Sequence, residues 1–280
     1  MGRTNKKVEY IIGGRSKEMS ISGYFSRGEN KIILDEDHNL IENLPWSDIG
    51  YVVEDFKNED FLLDCKSKLK NLICGFVHKR TDSVFDNLEQ YHKYVDKASH
   101  FKIISDLYDK VSFTKLGIDK KIIEKRVSEI LDCEVSTKNP HMSDNQHLNE
   151  DVFHIRIVRP LEGDNNPYHR DAWLDRLRHA VNIYIPLWGS DENSSLSLIP
   201  KSHKWKESDI ERTREGDIVN GNEYTVPAVT WTKYGLESIR PNPSEGEFMI
   251  FSPYLIHGGS VNFNNNITRI SLELRFWEKK

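Results

Sequence analysis

RISLELRF, residues 269–276, alternates without interruption: Ile270, Leu272, Leu274 and Phe276 fall on one side of an extended chain, and Arg269, Ser271, Glu273 and Arg275 on the other. A period of two is that of a strand with one face in an apolar core, so the charged face opposite it must have a separate task. The same alternation recurs upstream in Phe153, Ile155, Ile157 and in Val181, Ile183, Ile185, Leu187. Clusters of Gly, Pro and Asn at 162–167, 189–194, 220–222, 241–246 and 262–266 separate these segments, and short strands between such turns suggest a barrel or sandwich. Between about 53 and 133 the apolar residues instead recur at helical spacing: Leu62, Leu69, Ile73 and Val77, then Val84, Leu88, Tyr91 and Val95, then Ile123, Val127 and Ile130. Three or four amphipathic helices are expected there. Residues 1–52, with IIGGR and SGYFSRGENKIIL, read as an extra hairpin or arm. The expected organisation is one domain: an arm over 1–52, a mainly helical support over 53–149 and a β core over 150–280.

Bulk properties narrow the function classes. Hydrophobic residues make up 37% and charged residues 30% of the 280, which is enough for a packed core and too apolar for a disordered chain. A net charge of −5 lacks the excess of Lys and Arg that displaces counterions from phosphates, so no nucleic-acid partner is expected. Cys65, Cys74 and Cys133 lack CxxC spacing and read as reduced thiols of a cytoplasmic protein rather than as a disulfide framework. No apolar run reaches membrane-spanning length, and MGRTNKKVEY at the start lacks the apolar segment of a secretion signal, so no membrane partner is expected either.

Chemistry concentrates at three points. His169 and Asp171 are one residue apart, so on an extended segment both side chains project to the same side and can bind one cation. His257, which follows the apolar stretch 248–255 and precedes Gly258 and Gly259, supplies a third ligand. Two imidazoles and one carboxylate on one face of a metal leave the remaining positions open, which suits a non-haem iron(II) oxygenase. A bidentate 2-oxo acid and dioxygen can then bind together. Arg269 offers a guanidinium fork, and Ser271 a neighbouring hydroxyl, for the far carboxylate of 2-oxoglutarate. Arg275 shares that face but lies six residues further on, roughly 20 Å at the usual strand rise, so one ligand cannot use both arginines.

Four segments, PYHRDAW (167–173), NIYIPLW with SLSLIPKSHKW (182–205), GEFMIFSPYLIHGGSVN (246–262) and TRISLELRF (268–276), together resemble the phytanoyl-CoA dioxygenase family of iron(II) and 2-oxoglutarate dependent oxygenases. The likeness covers roughly residues 150–277. It implies a mainly β chain with α elements: a double-stranded β-helix, or cupin-like jelly roll, flanked by N-terminal helices. It implies Fe(II), 2-oxoglutarate and O2 as cofactors, His169, Asp171 and His257 as the catalytic metal ligands, and Tyr184 facing the 2-oxoglutarate site with Arg269 and Ser271. In that family, decarboxylation of 2-oxoglutarate to succinate is coupled to removal of hydrogen from carbon. Hydroxylation is the usual outcome, with desaturation and ring formation as relatives. Related halogenases carry a small residue in place of the carboxylate, so Asp171 points away from halogenation. Lys201 stands where the family often has Gly and is expected to change a turn.

The function expected is hydroxylation of an aliphatic carbon of a small-molecule substrate in a biosynthetic or tailoring pathway. A protein or peptide side-chain hydroxylase, or a metal-binding β-helix without redox chemistry, are the alternatives. Arg156, with His154, alternates with apolar residues and is expected to point into the barrel near the substrate. The long connection 208–243, with Tyr224, Trp231 and Tyr234, reads as a lid, and Trp231 as a substrate contact. His141, Asp144 and His147 also carry metal-capable side chains, but their polar surroundings read as a solvated loop. The sequence gives no indication of oligomeric state.

Overall fold

A computed structural model describes residues 3–108, 110–140, 153–163, 166–214, 216–259 and 261–279. His141, Asp144 and His147 lie outside the described residues. The chain begins with β1 (Thr4–Ile12), β2 (Arg15–Gly23), β3 (Phe25–Arg27) and β4 (Tyr51–Asp55). Helices α1 (Glu59–Thr81), α2 (Lys97–Tyr108), α3 (Phe113–Leu116) and α4 (Lys120–Leu131) follow. Then come β5 (Val135–Ser136), β6 (Phe153–Val158), β7 (Ala180–Trp188), β8 (Ile210–Thr213), β9 (Asp217–Val219) and β10 (Asn222–Tyr224). The last strands are β11 (Val229–Thr232), β12 (Glu237–Ser238), β13 (Glu247–Phe251) and β14 (Arg269–Glu278).

The alternating stretch is β14, central in a six-stranded sheet of order β4-β13-β7-β14, with both β5 and β6 also paired to β14. All its pairings are antiparallel. Its apolar face, including Ile155, Ile183, Phe248, Leu272 and Leu274, forms one buried cluster with Leu69, Ile73, Ile103 and Val127 of the helices. The helices cover this face because α1 buries Phe61, Cys65, Leu69, Ile73 and Val77, one residue in every four, along a single stripe. Asn58 starts α1 by accepting the Phe61 N–H at 2.9 Å, and Asp82 ends it in the left-handed conformation. The opposite, polar face of the sheet is thereby turned inward, away from the helices.

The arrangement of strands and helices differs from the sequence reading at three places. Val84 is 83% exposed, because Leu88, Tyr91 and Val95 belong to a short 3-10 turn (Leu88–Lys93) and its flank rather than to a helix that includes Val84. β4 lies at the edge of the stretch expected to be helical, yet it pairs with β13 along its whole length, so the β core is not confined to 150–280. Five residues are too few to display their own period beside a helical pattern. Finally, the 208–243 connection is not a free lid. Its strand β8 pairs with β11 and with β3, β9 pairs with β2, and β12 lies parallel to β1. Its backbone groups are thereby committed to sheets, and the N-terminal arm supplies the partner strands.

The arm is the hairpin the IIGGR signature suggests. Gly13 and Gly14 have φ of 55° and 76°, the positive values a two-residue hairpin turn demands at both positions. Val8, Tyr10, Ile12, Met19 and Ile21 of the hairpin pack on Tyr168, Ile210, Val229 and Ile256. The order of layers is therefore helices, six-stranded sheet, the segments around 168, 198 and 256, and the hairpin with its partner strands. The architecture is that of a mainly β jelly roll with helices on one side, its three sheets remaining separate. The three cysteines are free, and no described helix is long and apolar enough to cross a membrane.

Candidate metal centre and co-substrate site

His169 and His257 face each other across an antiparallel bridge, each donating its backbone N–H to the carbonyl of the other at 3.0 Å. Directly opposed residues project to the same side, which brings the two imidazole centroids to 4.4 Å. Arg170 is extended and Asp171 opens a short 3-10 turn, Asp171–Trp173, so the carboxylate swings back beside the His169 ring. Asp171 Oδ1 lies 3.1 Å from His169 Nε2 and 3.7 Å from His257 Nε2. One ligand atom from each of the three residues falls within 4.8 Å of the others, and all three side chains are buried. The sequence-predicted triad is thus gathered at one point.

Both imidazoles are pre-set as ligands. His169 Nδ1 donates to Pro167 O at 2.7 Å and His257 Nδ1 to Leu255 O at 3.0 Å. A carbonyl oxygen only accepts, so each Nδ1 carries the proton and each Nε2 keeps its lone pair for a metal. Burial, and then His169 beside it, pushes the His257 pKa down to about 4. Burial alone would raise the Asp171 pKa, but Arg275 and the two histidines hold it well below the ordinary carboxylate value. Neutral imidazole and ionised carboxylate are the forms that bind a cation.

Arg275 is the functional residue the sequence reading missed. Its Nε donates to Asp171 Oδ2 at 2.7 Å, both groups being buried, so the oxygen turned away from the histidines is held by a guanidinium. The six-residue spacing separates Arg275 from Arg269 without showing which anion it meets. The available signal was its position on the same inward face, where a buried cation must find an anion.

Arg269 has no solvent exposure. Its Nη1 donates to Ser271 Oγ at 2.9 Å and reaches Tyr184 Oη at 3.5 Å, while its Nε and Nη2 have no partner. Ser271 and Tyr184 are therefore beside it, as the resemblance implies. Two adjacent buried guanidinium N–H groups without acceptors, each costing about 1–3 kcal/mol if left unmet, are the fork that a carboxylate fits. Tyr184, Leu196, Leu198, Met249, Phe251 and Leu255 form an apolar cluster beside this face, with the Phe251 ring 4.9 Å from that of His257. Such an apolar wall limits the access of water to the His257 side of the ligand set.

Other expected residues sort differently. Arg156 lies on the inward face of β6 and donates through Nε to Glu273 Oε2 at 3.1 Å. Trp231 is 40% exposed, and the Arg27 guanidinium lies 4.0 Å over its ring, which sets it in the outer sheet and not with the triad. Lys201 was expected to change a turn. Instead it adopts φ 63°, the left-handed conformation glycine takes readily, and its Nζ reaches Asp48 at 2.7 Å.

The search of curated proteins returned no match. Among solved structures the chain is similar to AviO1 from Streptomyces viridochromogenes Tue57, with 16% identity, coverage of 90% of this chain and 96% of that one, and a TM-score of 0.45. It is also similar to EctD from S. alaskensis, solved with 2-oxoglutarate and 5-hydroxyectoine, with 13% identity, coverage of 91% and 83%, and a TM-score of 0.47. A third likeness is to the non-heme monooxygenase ThoJ in a nickel complex, with 12% identity, coverage of 86% and 77%, and a TM-score of 0.43. The family profile of phytanoyl-CoA dioxygenase (PhyH) matches residues 50–271. The donor set, two Nε2 lone pairs, a carboxylate and a guanidinium fork without acceptors, fits iron(II), 2-oxoglutarate and dioxygen, and the chain belongs to the phytanoyl-CoA dioxygenase family.

Proposed function

We propose that this protein is an iron(II) and 2-oxoglutarate dependent dioxygenase that hydroxylates an aliphatic carbon of a small molecule in a biosynthetic or tailoring pathway. The observation that carries this reading is the pairing of a three-residue ligand set with a buried arginine whose Nε and Nη2 lack acceptors. Iron(II) with 2-oxoglutarate supplies the activation of dioxygen that oxidises a carbon–hydrogen bond. His169, His257 and Asp171 would hold the metal from one side. Arg269 would anchor the distal carboxylate of 2-oxoglutarate, with Ser271 and Tyr184 fixing the guanidinium. Arg275 keeps Asp171 ionised and oriented. The inward-facing site suits a small molecule, and the free cysteines suit a reducing cytoplasm.

Anaerobic addition of iron(II) and 2-oxoglutarate tests the reading, because chelation produces a weak visible charge-transfer band. The band is expected with the native chain and absent from His169→Ala and His257→Ala. Arg269→Gln is expected to raise the 2-oxoglutarate concentration for half-saturation by about 10–100-fold, the cost of losing a charged hydrogen bond, while still binding iron(II). A native protein that gives no band would make this a β-helix module without the chemistry.

A further inference from the structure

Beyond the triad and Arg269, the inward face of the six-stranded sheet holds further polar atoms without partners. Asn182 has no exposure, and neither its Oδ1 nor its Nδ2 makes a hydrogen bond. Glu273 commits Oε2 to Arg156 and leaves Oε1 buried and unmet. His154 Nδ1 is in the same position. Each such atom destabilises the fold unless a ligand meets it.

These atoms form one band. Glu273 pairs in register with His154 on one side and Tyr184 on the other, while Asn182 pairs with Arg275. Asn182 and Glu273 are thus one diagonal step apart, about 7 Å by ordinary sheet spacing. The band adjoins the metal centre, because Asn182 also pairs with Phe251, whose ring lies against His257, and Arg275 holds Asp171. Its other end reaches solvent, where the Arg156 side chain is 25% exposed and half-exposed Tyr108 stacks on His154 at 5.7 Å.

The chemistry of the band selects among ligands. Burial alone would raise the Glu273 pKa, but Arg156, Arg275 and Arg269 hold it at about 2, so Oε1 is purely an acceptor. The same three guanidiniums repel a cation, and the bare carboxylate oxygen repels an anion. A neutral hydroxyl can donate to Glu273 Oε1 and can both give to and take from the Asn182 amide. An alkyl chain would leave every one of these atoms unmet.

Resting on the oxygenase reading above, we propose that the substrate is a neutral polyhydroxylated small molecule, a sugar or cyclitol. Its hydroxyls meet Asn182 and Glu273 beside the metal, and Tyr108 offers the exposed face of its ring at the mouth. The test uses the anaerobic iron(II)·2-oxoglutarate form of the full chain and its charge-transfer band. Methyl hexopyranosides, inositols, decanoyl-coenzyme A and putrescine are added in turn, and substrate-stimulated succinate release is then measured in air. A methyl glycoside or an inositol is expected to shift the band and stimulate succinate, and which arm responds separates sugar from cyclitol. Glu273→Gln and Asn182→Ala are expected to keep the band formed by 2-oxoglutarate but to need about tenfold or more of the polyol to shift it. Should Glu273→Gln fail to fold, Asn182→Ala, which breaks no ion pair, carries the same test. A response to decanoyl-coenzyme A or putrescine, silence across all the polyols, or an unchanged response in both variants overturns the proposal and leaves the oxygenase reading intact. A native protein without the band overturns that reading instead.

Discussion

Arg275 shows how one side chain sets the state of a ligand it does not replace. Asp171 and Arg275 are a buried ion pair with a 2.7 Å contact, and removing one partner of such a pair costs about 3–5 kcal/mol because the other charge is left stranded. Arg275→Met is therefore expected to destabilise the metal-free protein by about that amount. Iron(II) should restore part of the loss, since the ion becomes the counter-charge of Asp171. Urea unfolding with and without iron(II) measures both, and an equal loss in the two conditions would mean that Arg275 acts only as packing. RISLELRF identified both inward arginines but not the duty of Arg275, because that depends on which anion it reaches across other strands.

Between residue and fold, the segment from 255 to 259 determines whether the ligands converge. Leu255 O orients the His257 ring, the His257 backbone pairs with His169, and the chain then turns at Gly258 with φ 99°. A Cβ at Gly258 would sit 2.7 Å from Pro167 O, the carbonyl that orients His169, and 3.1 Å from His169 Nδ1. Gly258→Ala is thus expected to weaken iron(II) binding by about tenfold or more, as loss of a ligand-orienting contact does, although residue 258 touches no metal. Gly246, with φ 89° and nothing within 4 Å of its would-be Cβ, supplies the control. Gly246→Ala bears similar backbone strain, about 1–3 kcal/mol, and should leave iron affinity alone. Equal effects from the two alanines in an iron(II) titration would refute the contact argument.

At the scale of the whole molecule, burial of titratable groups sets acid stability. His203 is fully buried where the chain passes Gly50; its Nε2 donates to Ser47 O at 2.9 Å and its Nδ1 has no partner. Burial pushes its pKa down to about 4 from 6.5. The unfolded chain then takes up a proton below pH 6.5 that the folded chain refuses until about pH 4, so His203 lowers stability as pH falls through that window. The loss is on the order of 3 kcal/mol at its end. Replacing His203 with Asn should flatten the difference in urea midpoint between pH 7 and pH 4.5, and an unchanged slope would assign the acid sensitivity elsewhere. By itself the sequence determined the strands β6, β7 and β14, the helical stripe of α1, the Gly13–Gly14 hairpin and the chemical identity of the metal donors. All of these are written in local period and residue type, which neighbouring positions share. Only the tertiary structure decided that β4 joins the core sheet, that the 208–243 connection pairs with the arm, that Arg275 serves Asp171, and that Asn182 and Glu273 lie buried on the inward face with atoms unmet. Each of these depends on backbone pairing and burial between segments far apart in the chain, and no local pattern encodes a distant partner.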